Sequence, residues 1–353
     1  MMPLSTSMLI VGAASENPAI YTYAPSFHTT LKSLGYQATT FFNVKQSFIP
    51  LINNRTIASL PGAAQKINTV LLNKALVSHV QKHRPRIIFF IKAHTIFSET
   101  LVALKKYGAP TLINFYPDNP FVCWNGNSNE HVLKAFPVYD HFLIWSQMLI
   151  QPLLSAGCKQ VHYFPFAFDE VLFNQEIFIT QEDHTRYQSD VCFIGSWDTQ
   201  RAWWLEHLVH RLPHLNLTLW GNGWQDNLGK TSPLRKHCRG PALYGTEMIK
   251  AFRLSHINLN FIRTQNMTSH NMRTFEIPAS NAFMLTQRSH EQAKMLFTEG
   301  QSIICFDSLD ELAQKVVQYL NDPEQRHTLT EQAWIKAHNY TLKKELNKLM
   351  LLL

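Results

Sequence analysis

Three side chains with complementary chemistry lie close together in the stretch Ser269–Thr286, which reads SHNMRTFEIPASNAFMLT. Asn271, Arg273 and Glu276 fall within six residues, so one short helix would present them together. An arginine beside the free backbone N–H groups of a helix N-terminus suits a diphosphate. The glutamate, one turn further on, offers two acceptor oxygens that suit vicinal sugar hydroxyls. The stretch therefore predicts a nucleotide-sugar pocket, unless Arg273 and Glu276 simply pair on a solvated face of an ordinary helix-to-strand connection.

The elements on either side of this helix must set its position. A buried strand is predicted directly after it at Ala282–Thr286, and the strand before it, Ile257–Ile262, delivers Arg263 to the same place. Arg263 is a further candidate for binding phosphate, and a solvated strand end is the alternative. The candidates for the N-cap of the helix are Thr268, Ser269 and Asn271.

A second turn with the same character follows the predicted strand Asp190–Ile194. Gly195 and Ser196 form the turn, and Arg201 begins the next predicted helix. Glycine at the turn and arginine on the first helical turn make another N-terminus that suits phosphate. Gly221 closes the following strand and is predicted to lie at the same donor-binding edge.

The first half of the chain offers two candidates for a general base. Predicted strands at Arg86–Ile91 and Thr111–Phe115 run into loops that carry His94 and Asp118. Groups just past the carboxyl ends of parallel strands face the ligand crevice in open α/β sheets. Asp118, within YPDNP, is the preferred base for an acceptor hydroxyl, and His94 is its competitor. The alternatives are an aspartate that bonds its own turn and a histidine that only packs.

Strands and helices alternate along all 353 residues, which predicts two α/β domains with parallel sheets. We place the first domain at 1–168 and the second at 169–335, with a polar linker between about 166 and 188. The remaining residues, 336–353, are predicted as a C-terminal helix. Its apolar end is compatible with packing back on the first domain or with contact to a membrane surface or a partner.

The net charge of +7 and the isoelectric point near 9.1 raise nucleic acid, anionic lipid and phosphorylated small molecules as partners. No lysine- and arginine-rich tract is interleaved with aromatic residues, as a groove for a nucleic-acid strand would require. A phosphorylated small molecule explains the charge equally well, so we predict no nucleic-acid partner.

The cysteines and the apolar runs indicate a cytoplasmic chain. Five scattered cysteines show neither CxxC pairing nor zinc-ligand spacing, so we predict reduced thiols and no metal site. No apolar run reaches the roughly 18–20 residues of a spanning helix. The first residues lack a basic n-region, so they are not expected to be a signal peptide.

The second half resembles the glycosyltransferase group-1-type domain of the CgeB and spore-protein family, within the GT-B superfamily. The matching stretches are DVCFIGSWDTQR, LWGNGW, MIKAFRLSHINLNFIR, NMRTFEIPASNAFMLT and FTEGQSIICFDSLDELAQKVVQYLNDPEQR. YPDNP, YDHFLIWSQ and HYFPFAFDE resemble the family's amino-terminal half. The similarity covers about two-thirds of the chain, and its first hundred residues match only as a generic α/β pattern.

The resemblance implies a GT-B enzyme, with two Rossmann-like domains facing a central cleft, the acceptor on the first and the nucleotide-sugar donor on the second. Such enzymes usually need no metal, because cationic side chains and helix N-termini neutralise the leaving diphosphate. Glu276 matches the glutamate that binds the ribose hydroxyls, and Arg273 and Arg201 would bind the phosphates. Asn271 would be an ancillary contact, and Gly195 the turn that lets the donor approach.

One departure from the family pattern leaves the stereochemistry open. Related retaining enzymes carry a second glutamate eight positions before the ribose glutamate, and here that position is Thr268. Our hypothesis is a metal-independent hexosyl- or related transferase that uses a UDP-, GDP- or TDP-linked sugar, no further cofactor and an unidentified acceptor. The alternative, supported by Thr268, is a non-catalytic sugar-nucleotide-binding or structural protein with the same fold.

Overall fold

The chain divides into two compact units, unit 1 from Met1–Pro165 with Leu342–Leu353 and unit 2 from Phe166–Thr341. A computed structural model of the chain describes residues 3–15, 22–46, 61–123, 126–266 and 268–353. We had predicted a division after residue 168 and a terminal segment from residue 336; the structure divides the chain after Pro165 and after Thr341.

In the described part of unit 1, six parallel strands form one sheet in the order β2-β1-β3-β4-β5-β6. The strands are β1 (Met8–Gly12), β2 (Thr39–Asn43), β3 (Ile87–Ile91), β4 (Thr111–Tyr116), β5 (His141–Ile144) and β6 (Val161–Tyr163). The central strands are apolar on both faces, as β1 (MLIVG) and β3 (IIFFI) illustrate, because helices cover a parallel sheet on both sides.

The helices of unit 1 connect these strands, and its last helix follows unit 2 in the chain. They are α1 (Tyr23–Ser33), α2 (Pro61–His83), α3 (Ser98–Leu104), α4 (Glu130–Ala135), α5 (Ile150–Ser155) and, after unit 2, α14 (Leu342–Leu352). Helix α14 contacts α1 and buries Leu342, Leu346 and Leu349, while Leu351 and Leu352 are exposed.

The described part of unit 2 repeats the architecture with a second six-stranded parallel sheet, in the order β12-β11-β10-β7-β8-β9. The strands are β7 (Ser189–Ile194), β8 (Leu217–Trp220), β9 (Cys238–Gly240), β10 (Ser255–Asn260), β11 (Met284–Gln287) and β12 (Ile304–Phe306). The helices are α6 (Glu170–Phe173), α7 (Gln181–Tyr187), α8 (Thr199–Arg211), α9 (Trp224–Asn227), α10 (Gly245–Leu254), α11 (Arg273–Ala279), α12 (Leu309–Asn321) and α13 (Pro323–Ala337). Two Rossmann-like α/β units with parallel sheets were predicted, and this fold class is confirmed.

The prediction of a linker at 166–188 is wrong, because this stretch contains α6 and α7 and belongs to unit 2. Helix α7 begins with a capping box, in which the Thr180 hydroxyl accepts from the backbone N–H of Asp183 and the Asp183 carboxylate accepts from that of Thr180. The sequence T-x-x-D signals this start, but its polar surroundings conceal it. No helix in the described ranges is long and apolar enough to cross a bilayer.

Candidate functional site

The strand order of unit 2 brings three glycine- or arginine-bearing loops together. Strands β10, β7 and β8 are neighbours in the sheet, so the loops after their carboxyl ends lie side by side. These loops begin with Phe261, Gly195 and Gly221. Three loops that begin at positions 195, 221 and 261 of the chain therefore meet at one edge.

Gly195 and Gly221 let two of these loops press against each other. A Cβ atom on Gly221 would lie 2.0 Å from the carbonyl oxygen of Gly195, so no other residue fits without a backbone shift. The indole N–H of Trp224 donates to the same Gly195 oxygen at 2.8 Å, and the backbone N–H of Trp197 donates to the Asn222 oxygen at 2.9 Å. The two loops are thus tied into one wall.

Arg201 lies on the first turn of α8 and folds back over this wall. Its guanidinium donates to the Ser196 carbonyl oxygen at 2.9 Å and lies 5.4 Å from the centre of the Phe193 ring. Burial, together with the nearby charges of Arg263 and Arg273, lowers the pKa of Arg201 to about 10 although Asp198 opposes the shift. Three arginines therefore lie near enough to repel one another, an arrangement that an anion would relieve.

Asp198 holds two of these arginines, and the sequence analysis missed it. Its carboxylate caps α8 by accepting from the backbone N–H of Arg201 at 2.9 Å. The same carboxylate lies 3.2 Å from the guanidinium of Arg201 and 3.7 Å from that of Arg263. The pattern D-x-x-R at a predicted helix start could have signalled both roles.

Arg273 and Glu276 form an ion pair at the start of α11. Glu276 is only 5% exposed, so the pair does not lie on a solvated face. The Nε atom of Arg273 donates to the carbonyl oxygen of Ile194 at 3.3 Å, directly before Gly195. Arg273 thus bonds the last residue of β7, and Arg201 bonds the loop that follows it.

Among the three predicted cap residues, Asn271 bonds the first turn of α11, where its side-chain oxygen accepts from the backbone N–H of Thr274 at 3.3 Å. The N-cap position of α11 is Met272, and Ser269 instead donates its hydroxyl proton to Glu291 at 2.7 Å. Asn271 donates from its amide to the Asn260 side-chain oxygen at 2.9 Å and to the Phe261 carbonyl at 3.1 Å. Thr268 is exposed and caps nothing. The start of α11 is therefore fixed by bonds to β10 and its loop.

His270 belongs to a buried network beside α11. The side chain is fully buried, its Nε2 accepts from the backbone N–H of Phe166 at 3.1 Å, and its Nδ1 bonds the Ser269 hydroxyl at 2.8 Å. Because a backbone N–H donates to Nε2, the ring proton is on Nδ1. Burial lowers the pKa of His270 although Glu291 raises it. The neutral ring ties the first residue of unit 2 to the approach of α11.

In unit 1, the two predicted bases lie near each other but in different surroundings. Asp118 is ion-paired with Lys92 at 2.7 Å. Burial and Lys92 lower the pKa of His94, while Asp118 raises it, so the imidazole is neutral at neutral pH. His94, unlike Asp118, lines a cavity of about 850 Å³ at the carboxyl ends of β3 and β4.

The part of the chain that the structure describes contains no group of three or more His, Cys, Asp or Glu side chains arranged to hold a metal ion. The charged groups at the candidate site in unit 2 are three arginines and two carboxylates, and the sum of their charges is positive.

Residues 200–350 match the Glycosyl transferase-like family. A comparison with curated proteins gives no match. Among solved structures, sucrose-phosphate synthase from Thermosynechococcus elongatus is 11% identical with a TM-score of 0.68 and 98% of each chain covered. The UDP-forming α,α-trehalose-phosphate synthase from Burkholderia xenovorans is 12% identical with a TM-score of 0.64 and 98% of each chain covered.

A third similar structure is Anabaena HepE in complex with UDP-glucose, which is 12% identical with a TM-score of 0.63. The match covers 98% of the present chain and 99% of HepE. At these identities the likeness establishes the fold, which is GT-B, with two Rossmann-like domains.

Proposed function

We propose that this chain is a glycosyltransferase that moves a sugar from a nucleoside diphosphate to an acceptor hydroxyl. The observation that carries the proposal is the group of Arg201, Arg263 and Arg273 around the Gly195 loop, on the donor side of a GT-B fold. The family match of residues 200–350 and the UDP-glucose bound by the similar HepE support it. The CgeB-like subfamily, a hexosyl group and a cytoplasmic location stay predictions from the sequence.

The proposed reaction breaks the bond between the anomeric carbon and the diphosphate oxygen. An acceptor oxygen forms the new bond to that carbon, its proton passes to a base, and the nucleoside diphosphate leaves. Negative charge grows on the leaving oxygen in the transition state, so cations fixed beforehand near that oxygen lower the barrier. Arg201 and Arg273 are fixed in this way, since Arg201 bonds a carbonyl of the loop after β7 and Arg273 bonds the carbonyl of the last residue of β7.

We assign the role of a metal to these guanidinium groups. A diphosphate brings two or more negative charges to a site where Arg201 and Arg263 share one carboxylate, that of Asp198. Bidentate guanidinium contacts suit phosphate oxygens. We therefore expect transfer to continue in the presence of a chelator.

Glu276 is assigned to the ribose. Its carboxylate is buried and accepts from Arg273, and the vicinal hydroxyls of a ribose would donate to the same group. This ion pair would then link the two halves of the nucleotide, since Arg273 faces the diphosphate. Asn271 acts through its bonds to β10 and positions the start of α11.

We assign the general base to unit 1, where His94 is preferred over Asp118. The neutral imidazole can accept a proton, and it lines a cavity large enough for a small acceptor. Asp118 is ion-paired with Lys92 at 2.7 Å and does not line the cavity. We therefore expect the Asp118–Lys92 pair to orient the loop.

Binding of UDP, GDP and TDP, measured by calorimetry and thermal shift, tests the donor site. Arg201→Gln and Glu276→Gln should each weaken the preferred nucleotide about 10- to 100-fold, because a hydrogen bond to a charged group contributes roughly 1.5–3 kcal/mol. Arg211→Gln is the matched control, since Arg211 lies at the far end of α8 and pairs with Asp310 on the surface.

Two outcomes would decide against the transferase. If no nucleoside diphosphate binds, or if the Arg201 and Glu276 variants bind as the wild type does, the donor site is wrong. If a nucleotide binds but neither hydrolysis nor transfer of its sugar is detected, the non-catalytic alternative is favoured. The exposed Thr268, which replaces a glutamate of related retaining enzymes, is the feature of this chain that supports that alternative.

A further inference from the structure

The positive charge of this chain is concentrated in one stretch of unit 1. From position 17 to position 98 the sequence contains no aspartate or glutamate. The same stretch contains nine basic residues: Lys32, Lys45, Arg55, Lys66, Lys74, Lys82, Arg84, Arg86 and Lys92. Since the whole chain carries a net charge of +7, the rest of the sequence is slightly acidic. Complete absence of acids over such a length is a charge pattern that favours anionic partners.

This stretch supplies one wall of the cavity in unit 1. The residues that line the wall come from the first turns of α2, including Gln65, Lys66 and Thr69, and from the loop after β3, including His94 and Thr95. The cavity volume of about 850 Å³ lies within the range of small-molecule sites. A concave site of this size suits a small molecule or the end of a chain better than the side of a polymer.

The opposite wall is also free of acids. It is formed by Cys123, Gly126, Ser128, Asn129 and His131, after β4, and among the described lining residues none is an aspartate or a glutamate. The acids nearest in the chain are Glu99, two residues after Phe97, Asp118, which is paired with Lys92, and Glu130, which is exposed and paired with Lys134 at 2.8 Å. None of them lines the cavity, although Glu99 and Glu130 both interact electrostatically with His131. An anion at Lys66 would therefore meet no carboxylate among the described lining residues.

The two walls are joined by one side chain. The amide of Asn129 donates to the His94 carbonyl oxygen at 2.8 Å, and its oxygen caps α4 by accepting from the backbone N–H groups of His131 and Val132. The His131 ring packs against Phe97 with centroids 4.7 Å apart, and its Nδ1 is buried without a hydrogen-bond partner among the described residues. The His94 backbone and the His131 ring are thus held in place by the fold.

We infer that the cavity binds a hydroxylated acceptor that carries an anionic group, of the sugar-phosphate class, with Lys66 as the ligand of the anion. His94 would then serve the reacting hydroxyl, and His131 would border the anion from the second wall. The role of the bound molecule as an acceptor rests on the proposed transferase function, whereas the binding of its anionic group does not.

Binding of glucose 6-phosphate, glucose and inorganic phosphate to the Arg201→Gln variant, without a donor, gives the first test. This variant is used because it weakens the binding of phosphate to the arginine group of unit 2. We expect glucose 6-phosphate to bind at least about 10-fold more tightly than glucose, since one charged hydrogen bond is gained. Equal binding of the two sugars would overturn the inference without need of any variant in unit 1.

Lys66→Met locates the site. It should weaken glucose 6-phosphate about 10-fold and leave glucose unchanged, whereas Lys74→Met should change neither, because Lys74 is exposed on the same helix and does not line the cavity. If Lys66→Met does not fold, His131→Gln takes its place with the same expectation. An undiminished affinity in both variants would refute the assignment, as would displacement of glucose 6-phosphate by a short single-stranded DNA, which would point to a polymer instead.

Failure of this inference and failure of the proposed function are distinguishable. If UDP binds and glucose 6-phosphate does not, the inference of an anionic acceptor is refuted and the proposed donor site is supported. If glucose 6-phosphate binds and no nucleoside diphosphate does, the proposed donor site is refuted and the anion site is supported.

Discussion

Replacing His270 tests whether a buried, neutral histidine fixes the approach to α11. His270 is fully buried, and burial lowers its pKa below the ordinary 6.5. An unfolded chain binds a proton at this position as the pH falls below 6.5, whereas the folded chain does not. The stabilising contribution is therefore present in full above pH 6.5 and is lost as the pH falls below it, until the pKa of the folded state is reached.

The size of this effect follows from the linkage between protonation and folding. Where the unfolded chain is protonated and the folded ring is neutral, each pH unit removes about 1.4 kcal/mol from the free energy of unfolding. His270→Gln keeps an acceptor for the backbone N–H of Phe166 but cannot titrate. We expect the variant to lose less stability than the wild type as the pH falls from 7 to 5, by at most about 1.4 kcal/mol per pH unit.

The assay is urea unfolding followed by tryptophan fluorescence at several pH values. Six of the eight tryptophans lie in unit 2, so the signal reports mainly on the unit that contains His270. The difference in pH dependence between the variant and the wild type reports on His270 alone, because the other histidines whose pKa is lowered by burial are present in both proteins. His210→Gln, on the exposed face of α8, should leave the pH dependence unchanged. Identical pH dependence of His270→Gln and the wild type would refute the reasoning.

Two further predictions concern the loops and the base. Gly221→Ala should lower the free energy of unfolding by about 1–3 kcal/mol and weaken nucleotide binding, because the new Cβ collides with the Gly195 oxygen. Urea unfolding measures the first effect and calorimetry the second. Gly229→Ala is the control and should show neither effect, because nothing lies within 4 Å of its new Cβ. His94→Asn should lower kcat about 10²- to 10⁴-fold with the donor KM unchanged. Since the pKa of His94 is lowered, the wild-type kcat should hold below pH 6.5 and fall only at more acidic pH. A pH profile that is the same in both enzymes would exclude His94 as the base.

Regular elements with strong periodicity were predictable from the sequence alone. The signals that fix helix α12 are visible in the sequence, because Ser308 caps it and its apolar residues recur at helical spacing. Of the cap residues predicted for α11, Ser269 was wrong. Ser269 has the right side chain for a cap, but the buried Glu291 binds its hydroxyl, and a sequence window cannot show such a partner.

The candidate site was predictable in its residue types more than in its partners. Arg201 and Arg273 were found from their helix starts, but their proximity depends on β7 and β10 being neighbours, which no local pattern gives. Asp198 was missed because an acid seemed out of place at a phosphate site. The acid-free stretch at 17–98 was missed for another reason, since a search for charge runs does not register the absence of one sign.

The position of α14 has a consequence for how the protein is made. The helix belongs to unit 1 and packs on α1, yet it follows the whole of unit 2 in the chain. At about 5–20 residues per second, a ribosome needs roughly ten seconds or more to synthesise unit 2. During that interval α1 has been synthesised but α14 has not, so the contact between them cannot form. Unit 2 is contiguous in the chain and can complete its own contacts first. The half that begins synthesis is thus the last to finish folding.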